Sequence, residues 1–305
     1  MGKLSGRVAI VTGSGNGMGE AVAKQLAQEG AKVVVNDIGV WNKCGIRDAD
    51  RVVKDIVDAG GTAVADYSDV SRLETAKHIV DTAIENFGKI DILCLIAGTT
   101  SRAPIDEMSE KQFDKLISVN LKQCYNVCHY AAKYMKQQRY GRIVIYASRG
   151  AFGNPDSPTK SCGYSAGKAG AIGFSAELSL ELRDCGDFRV NCVMPAAQSN
   201  LFPNAHKAAY GGVPSPWPST PDMVAPMTAY LCLEECQADG ELFYIAGTDV
   251  GIYPRDRKVT MNMHKGNHEK WTVEELCEQV PQCFGWYFDT LPEISDYDQT
   301  GGKGK

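Results

Sequence analysis

The sequence predicts a doubly wound α/β fold, a seven-stranded parallel sheet with helices on both faces. Three observations point to it. Short runs rich in Val, Ile and Leu recur through residues 1–250, stretches with apolar residues at helical spacing separate them, and a glycine-rich turn directly follows the first run. A strand buried on both faces reads as a near-continuous apolar run rather than an alternating one. Strands that alternate with helices pair in parallel, and right-handed crossovers then set helices on both sides of the sheet.

The strands are expected at Val8–Val11, Lys32–Asn36, Thr62–Ala65, Asp91–Ile96, Arg142–Ala147, Arg189–Met194 and Leu242–Ile245. A helix is expected from about Gly19 to Glu29. Val52, Val53, Ile56 and Val57 share one later helical face, and Phe113, Leu116, Ile117, Asn120 and Leu121 belong to a longer helix. No repeat or linker interrupts this alternation, so residues 1–254 are read as one domain. Within it, residues 195–221 hold Pro195, Pro203, Pro214, Pro216, Pro218 and Pro221 beside Phe202, Tyr210 and Trp217. A long loop with such aromatics reads as an ordered lid. Residues 255–295 contain Trp271, Trp286, Tyr287 and Phe288, with Thr272 and Glu275 at capping-box spacing. That is too much apolar surface to leave wet, so an extension packed on the body is expected. Residues 296–305 are polar and glycine-rich and are expected to fray.

The chain has 305 residues, 44% hydrophobic and 23% charged, with a formal net charge of -5. This is globular composition. It speaks against partners such as nucleic acid or an anionic membrane surface, whose capture rests on clustered Lys and Arg. No apolar run reaches the length of a membrane span. The eleven cysteines are scattered through apolar segments without a Cys-x-x-Cys pair. They read as free thiols in a reducing compartment, and no metal site is expected. A first strand at Val8 leaves no room for a signal peptide, so the expected location is the cytoplasm.

The turn after the first strand is Thr12-Gly13-Ser14-Gly15-Asn16-Gly17-Met18-Gly19. Glycines between a strand and a helix let backbone N–H groups approach a pyrophosphate, which the positive helix N-terminus favours. Asp37 ends the second strand near the distance at which a dinucleotide fold carries its ribose-binding acid. Its carboxylate accepts from ribose hydroxyls and repels a 2′-phosphate. NAD(H) is therefore the expected cofactor and NADP(H) the alternative, with Lys43 and Arg47 the cations able to reverse that choice. Asp69 and Val70 follow the third strand, and Ala97 and Gly98 end the fourth with small side chains that permit close approach.

At the other end of the site, Ser148 follows the fifth strand. Tyr164 and Lys168 stand four residues apart, on one face of a helix. A phenol ionises near pH ~10, and a neighbouring cation favours its phenolate. Ser148 is positioned to hydrogen-bond a substrate carbonyl, and Asn120 to anchor a relay water. A lone Tyr-x-x-x-Lys is common on solvated helices; its co-occurrence with the glycine turn and Ser148 sets it apart.

Together these residues resemble the short-chain dehydrogenase/reductase family. Thr12, Gly13, Gly17 and Gly19 match its Thr-Gly-x-x-x-Gly-x-Gly turn, and Asn120, Ser148, Tyr164 and Lys168 match its tetrad. The likeness runs over about residues 5–250. Asn36-Asp37-Ile38-Gly39, Val224-Ala225-Pro226, Leu231-Cys232 and Gly240-Glu241-Leu242-Phe243 resemble the dehydrogenase unit of peroxisomal multifunctional enzyme type 2 and its bacterial relatives, as does a trailing strand and helix near 251–280. The resemblance implies a Rossmann-type fold and a homodimer or homotetramer that interconverts a secondary alcohol and a ketone on a small molecule. It assigns Tyr164 as general acid/base, Lys168 as the cation that lowers its pKa and holds ribose hydroxyls, Ser148 as the carbonyl-polarising group and Asn120 as the water anchor. Gly13, Asn16, Gly17, Met18, Gly19, Asp37, Asp69, Val70, Ala97, Gly98 and Pro195 would line the cofactor, joined by Tyr164 and Lys168. Arg149, Phe202, Tyr210 and Trp217 would line the substrate pocket and suit an apolar, cyclic substrate. A 3-hydroxyacyl-CoA dehydrogenase and a catalytically silent dinucleotide sensor are the alternatives.

Three departures stand out. Leu95-Ile96-Ala97-Gly98 replaces the family's Asn-Asn-Ala-Gly, which removes a hydrogen bond to the central sheet. Pro195-Ala196 replaces Pro-Gly, and the Ser148-to-Tyr164 segment is longer than usual, with a bulge expected at Asn154–Cys162.

Overall fold

The computed structural model describes residues 2–39, 46–101, 103–153, 161–197, 209–210, 213–214, 219–253, 276–280 and 282–283. Contacts divide the chain into two units, Met1–Arg255 and Asp256–Lys305. In the second, residues 276–280 and 282–283 are helical. The first carries the fold.

Its strands are β1 (Val8–Thr12), β2 (Lys32–Asn36), β3 (Thr62–Asp66), β4 (Ile92–Leu95), β5 (Tyr140–Tyr146), β6 (Asp187–Ala196), β7 (Ala209–Tyr210), β8 (Val213–Pro214), β9 (Leu242–Ala246) and β10 (Asp249–Tyr253). The helices are α1 (Gly17–Gln28), α2 (Asp48–Asp58), α3 (Leu73–Phe87), α4 (Glu110–Ile117), α5 (Gln123–Gln138), α6 (Cys162–Leu182) and α7 (Pro221–Leu231). All seven expected strands are present, with ends shifted by two residues at most. The main sheet holds one strand more than the seven expected. Its order is β10-β9-β6-β5-β4-β1-β2-β3, parallel throughout except for β10, which returns antiparallel along β9.

The central parallel strands feed two cores. Along β1, Val8 and Ile10 face the layer of α3, α5 and α6, and Ala9 and Val11 face that of α1, α2 and α7. Both faces are apolar, which is why the run reads as continuous. Two helical faces are narrower than their spacing suggests. Val52 and Ile56 are buried, but Val57 and Phe113 are exposed. The helix after Ser109 opens on a capping box with Gln112, which satisfies two otherwise unpaired N–H groups. It does not run straight on: a π-helical turn at Ser118–Lys122 separates α4 from α5 and carries Asn120.

The chain winds from β1 through β2 to β3, then crosses to β4 on the other side of β1. At such a reversal the loops beyond the two strand ends diverge and leave a crevice. Of the expected lid, β7 and β8 pair as an antiparallel ribbon. Phe202, Trp217 and the Tyr210 side chain lie outside the described residues, as do Lys43, residues 154–160 and the aromatics of the C-terminal extension.

Candidate active site

The crevice is an open groove of about 990 Å³. Gly13, Asn16, Gly17, Met18, Gly19, Asp37, Asp69, Val70, Ala97 and Gly98 all line it, so every residue read as cofactor-binding from the β1, β2, β3 and β4 ends meets there. Gly13 has φ +64°, and a Cβ on it would fall 2.6 Å from the Ala97 Cα. At Gly19 a Cβ would fall 2.1 Å from the Gly13 carbonyl oxygen, because α1 starts in contact with the turn. The turn is therefore a cradle that side chains would fill, at the N-terminus of a 12-residue helix. That combination suits a pyrophosphate.

Asp37 closes one end of the groove. Its carboxylate accepts from the Gly15 N–H and the Gly39 N–H, both at 3.0 Å, and is fixed by them. Asn36 ties β2 to β3 through Asp66 (2.7 Å) and the Ser68 carbonyl (3.0 Å). Arg47 lies 4.2 Å over the Tyr67 ring. Arg51 donates to the Gly15 carbonyl and to Glu20, so its charge is already matched.

A second cavity shares Met18, Ile96 and Gly98 with the groove. Asn120, Ser148, Tyr164, Lys168 and Pro195 line it together. The rest of its described wall is mostly apolar: Ile96, Tyr146, Ala147, Ala196 and Ala197. Each polar member is fixed by its element. Ser161 caps α6 by accepting from the Tyr164 N–H, which holds the tyrosine in the first turn. The Tyr164 hydroxyl bonds Ser148, and Ser148 also accepts from the Gly150 N–H at 3.1 Å. Burial pushes the Tyr164 phenol above its ordinary value, and the Ser148 bond offsets part of that rise. Lys168 is fully enclosed, and burial lowers its ammonium to about 8. Its Nζ donates to the Tyr146 carbonyl at 2.6 Å. The Tyr146 hydroxyl in turn pairs with Thr228 Oγ1 of α7 at 2.7 Å.

Two details differ from the sequence reading. The described partner of the Lys168 ammonium is a strand carbonyl rather than the Tyr164 ring, because a buried cation takes the nearest acceptor. Burial, not this cation, dominates the phenol. The Arg149 guanidinium sits 5.5 Å from the Tyr244 ring on β9. Asn120 does line the cavity, with both amide hydrogens taken by the Thr99 and Leu116 carbonyls. Sequence reasoning missed Asn36, Ile38, Thr99, Val119, Tyr146, Ala196 and Ala197. All but Val119 are the last residue of a strand or follow one, a signal that was available.

The fold and the groove at its topological switch point are those of a dinucleotide-dependent oxidoreductase. Comparison with known proteins agrees. The short chain dehydrogenase family model matches residues 7–203. Peroxisomal multifunctional enzyme type 2 of Drosophila melanogaster is 37% identical over 247 residues, 78% of this chain but 39% of that protein. The 3-oxoacyl-[acyl-carrier-protein] reductase FabG of Thermotoga maritima is 32% identical over 82% of this chain and 97% of its own. A crystal structure of a short chain dehydrogenase from Mycobacterium avium superposes with TM-score 0.78 at 31% identity, covering 93% of this chain and 96% of that one. The chain belongs to the short-chain dehydrogenase/reductase family. It is an oxidoreductase of the ketoreductase kind, similar to the dehydrogenase unit of the multifunctional enzymes and spanning less than half the length of the one from Drosophila.

Proposed function

We propose that the protein interconverts a secondary alcohol and a ketone on an apolar, cyclic small molecule, with NAD(H) preferred over NADP(H). The observation that carries this reading is the convergence of Ser148, Tyr164, Lys168 and Asn120 on one cavity that opens into the glycine-lined groove. The nicotinamide dinucleotide, when bound, supplies or takes up the hydride. The chain's own residues handle the proton. Tyr164 Oη gives it to the carbonyl oxygen in reduction and removes it from the hydroxyl in oxidation. Ser148 Oγ, already bonded to Tyr164, donates to the same oxygen. Lys168 has three N–H donors, and two beyond the Tyr146 contact are available for ribose hydroxyls. Asn120 Oδ1 holds the Thr99 N–H at 3.3 Å and keeps a lone pair for a relay water.

Asp37 supports NAD(H): its fixed carboxylate accepts from ribose hydroxyls and repels a 2′-phosphate. Met18, Ile96, Ala147 and Ala197 support an apolar substrate. The likeness to a 3-oxoacyl reductase favours a second reading, a 3-hydroxyacyl thioester. Absorbance of the reduced cofactor, followed with a panel of cyclic alcohols, their ketones and acyl-CoA thioesters, separates the two. Turnover of none of them with either cofactor overturns both. A homodimer or homotetramer is supported by the exposed Phe113, Tyr125 and Leu180 on α4, α5 and α6; light scattering that gives a monomer refutes it. Buried thiols such as Cys124 and Cys192 suit a reducing compartment, hence the cytoplasm.

A further inference from the structure

Asn120, Gln123 and Asn126 follow one another at intervals of three residues through the π-helical turn and into α5, and all three are buried. Three residues fall short of a full helical turn, so the carboxamides sweep around the axis instead of stacking. Asn120 and Gln123 therefore reach two points of the loop after β4, and Asn126 reaches the loop after β3. Asn120 Nδ2 donates to the Thr99 carbonyl at 2.8 Å, just past β4. Gln123 Nε2 donates to the Ala97 carbonyl and, at 2.6 Å, to Val119, while its Oε1 accepts from Thr12 Oγ1 at 3.1 Å. Thr12 Oγ1 accepts from the Ile96 and Ala97 N–H groups at 3.0 and 3.2 Å, which closes the network across β1 and β4. Asn126 Nδ2 donates to the Val70 carbonyl at 2.9 Å, beyond β3.

Val70, Ala97 and Val119 line the groove, and Thr99 lines the neighbouring cavity. Two buried amides thus grip the floor of the groove from the same rod that carries Asn120. A carboxamide both donates and accepts, so Gln123 can satisfy a hydroxyl and two carbonyls where an apolar or acidic side chain cannot. It brings an amide to the strand end where Ile96 provides none. We propose that Gln123 and Asn126 are positioning residues, which fix the groove loops at Ala97 and Val70 to the turn that presents Asn120. The identity of the groove's ligand rests on the reading above; the fixing of its loops does not.

Hydrogen exchange of the protein without nucleotide tests the fixing directly. Asn126→Leu is expected to speed exchange about tenfold in the peptide around Asp69–Ser71, and Gln123→Met to do the same around Ile96–Thr99. Peptides from the buried middles of β5 and β6 should keep their native rates. Unchanged exchange at both loops, or equal acceleration everywhere, overturns the proposal. Where Asn126→Leu does not fold, Asn126→Ser, too short to reach Val70, gives the same readout. Titration with ADP-ribose and with NAD is the second arm. Loss of one buried hydrogen bond weakens binding by about tenfold, or ~1.4 kcal/mol. KM for the dinucleotide should rise more than kcat falls in Asn126→Leu, whereas Gln123→Met should lower kcat as well, since it also holds Val119 beside Asn120. Native affinity in both variants overturns the proposal; failure of the unmodified protein to bind either ligand overturns the cofactor reading, and leaves the exchange result to decide the loops.

Discussion

Lys168 offers a test that needs no substrate. Its ammonium is enclosed in the folded protein and holds its proton only up to about pH 8, against 10.5 for the ordinary group. Below pH 8 both folded and unfolded chains carry the proton, and the folded state bears the full penalty of burying the charge. Between pH 8 and 10.5 the unfolded chain binds more protons than the folded one, so the lysine's contribution to stability rises with pH. The span corresponds to about 3 kcal/mol, at ~1.4 kcal/mol per tenfold change in proton affinity. Lys168→Met removes this titration. It also leaves the Tyr146 carbonyl without its 2.6 Å partner, a loss of about 1–3 kcal/mol that does not vary with pH. The measurement is urea unfolding of both proteins under reducing conditions, without nucleotide, at intervals from pH 7.5 to 10.5. The variant's stability relative to the native protein should fall by about 3 kcal/mol over that range. Cys124 and Cys192, pushed up to about 12 by burial, titrate in both proteins and largely cancel in the difference. A difference that stays flat with pH would show that Lys168 is not buried as a cation, and the account of its environment would fall.

Three further outcomes are expected. Tyr164→Phe keeps the ring and its packing, so kcat should fall by about 10²–10⁴ with dinucleotide affinity retained; turnover within a few-fold of native removes Tyr164 from the acid/base role. The native enzyme should favour NAD(H) over NADP(H) by about a hundredfold in kcat/KM, from a like-charge clash of ~3 kcal/mol at Asp37, and Asp37→Ser should bring the two within tenfold. Equal values in the native enzyme would hand the choice to Arg47 or Lys43. Gly19→Ala places a methyl group 2.1 Å from the Gly13 carbonyl oxygen and 2.8 Å from the Ser14 Cα, both backbone atoms. It should weaken dinucleotide binding at least tenfold by fluorescence titration and cost about 1–3 kcal/mol in urea unfolding.

The central strands are legible in the sequence because burial on both faces writes them as unbroken apolar runs, Val8–Val11 and Ile143–Ile145 most clearly. The glycine turn is legible because its backbone packs against Ala97 and the start of α1, which restricts residue type at fixed spacing, and Asp37 because it follows β2 within reach of that turn. β10 is implied by the resemblance only as a trailing strand outside the seven-stranded sheet. It is five residues long and only partly buried, although Gly247-Thr248 between two apolar runs is a hairpin signal. Spacing along a helix states which side chains share a face, not what lies opposite. That is why Tyr164 and Lys168 could be paired from the sequence, while the Tyr146 carbonyl could not be foreseen. The same limit applies to Arg149, which follows Ser148 in the chain yet turns toward Tyr244. Gln123 and Asn126 give no local signal at all, because their partners lie 26 and 56 residues away.

Tyr146 makes one position answerable to two neighbourhoods. Its main chain anchors Lys168, and its hydroxyl meets Thr228 of α7, the helix that follows the expected lid. The first contact survives any substitution that keeps the strand; the second does not. Loss of the Thr228 hydroxyl alone strands the buried one of Tyr146, at about 1–3 kcal/mol, whereas Thr228 also has the Val224 carbonyl at 3.4 Å. Descendants of this sequence should therefore give up the hydroxyl at 146 before the one at 228. Selection can then remodel α7 while the strand carbonyl keeps the ammonium in place.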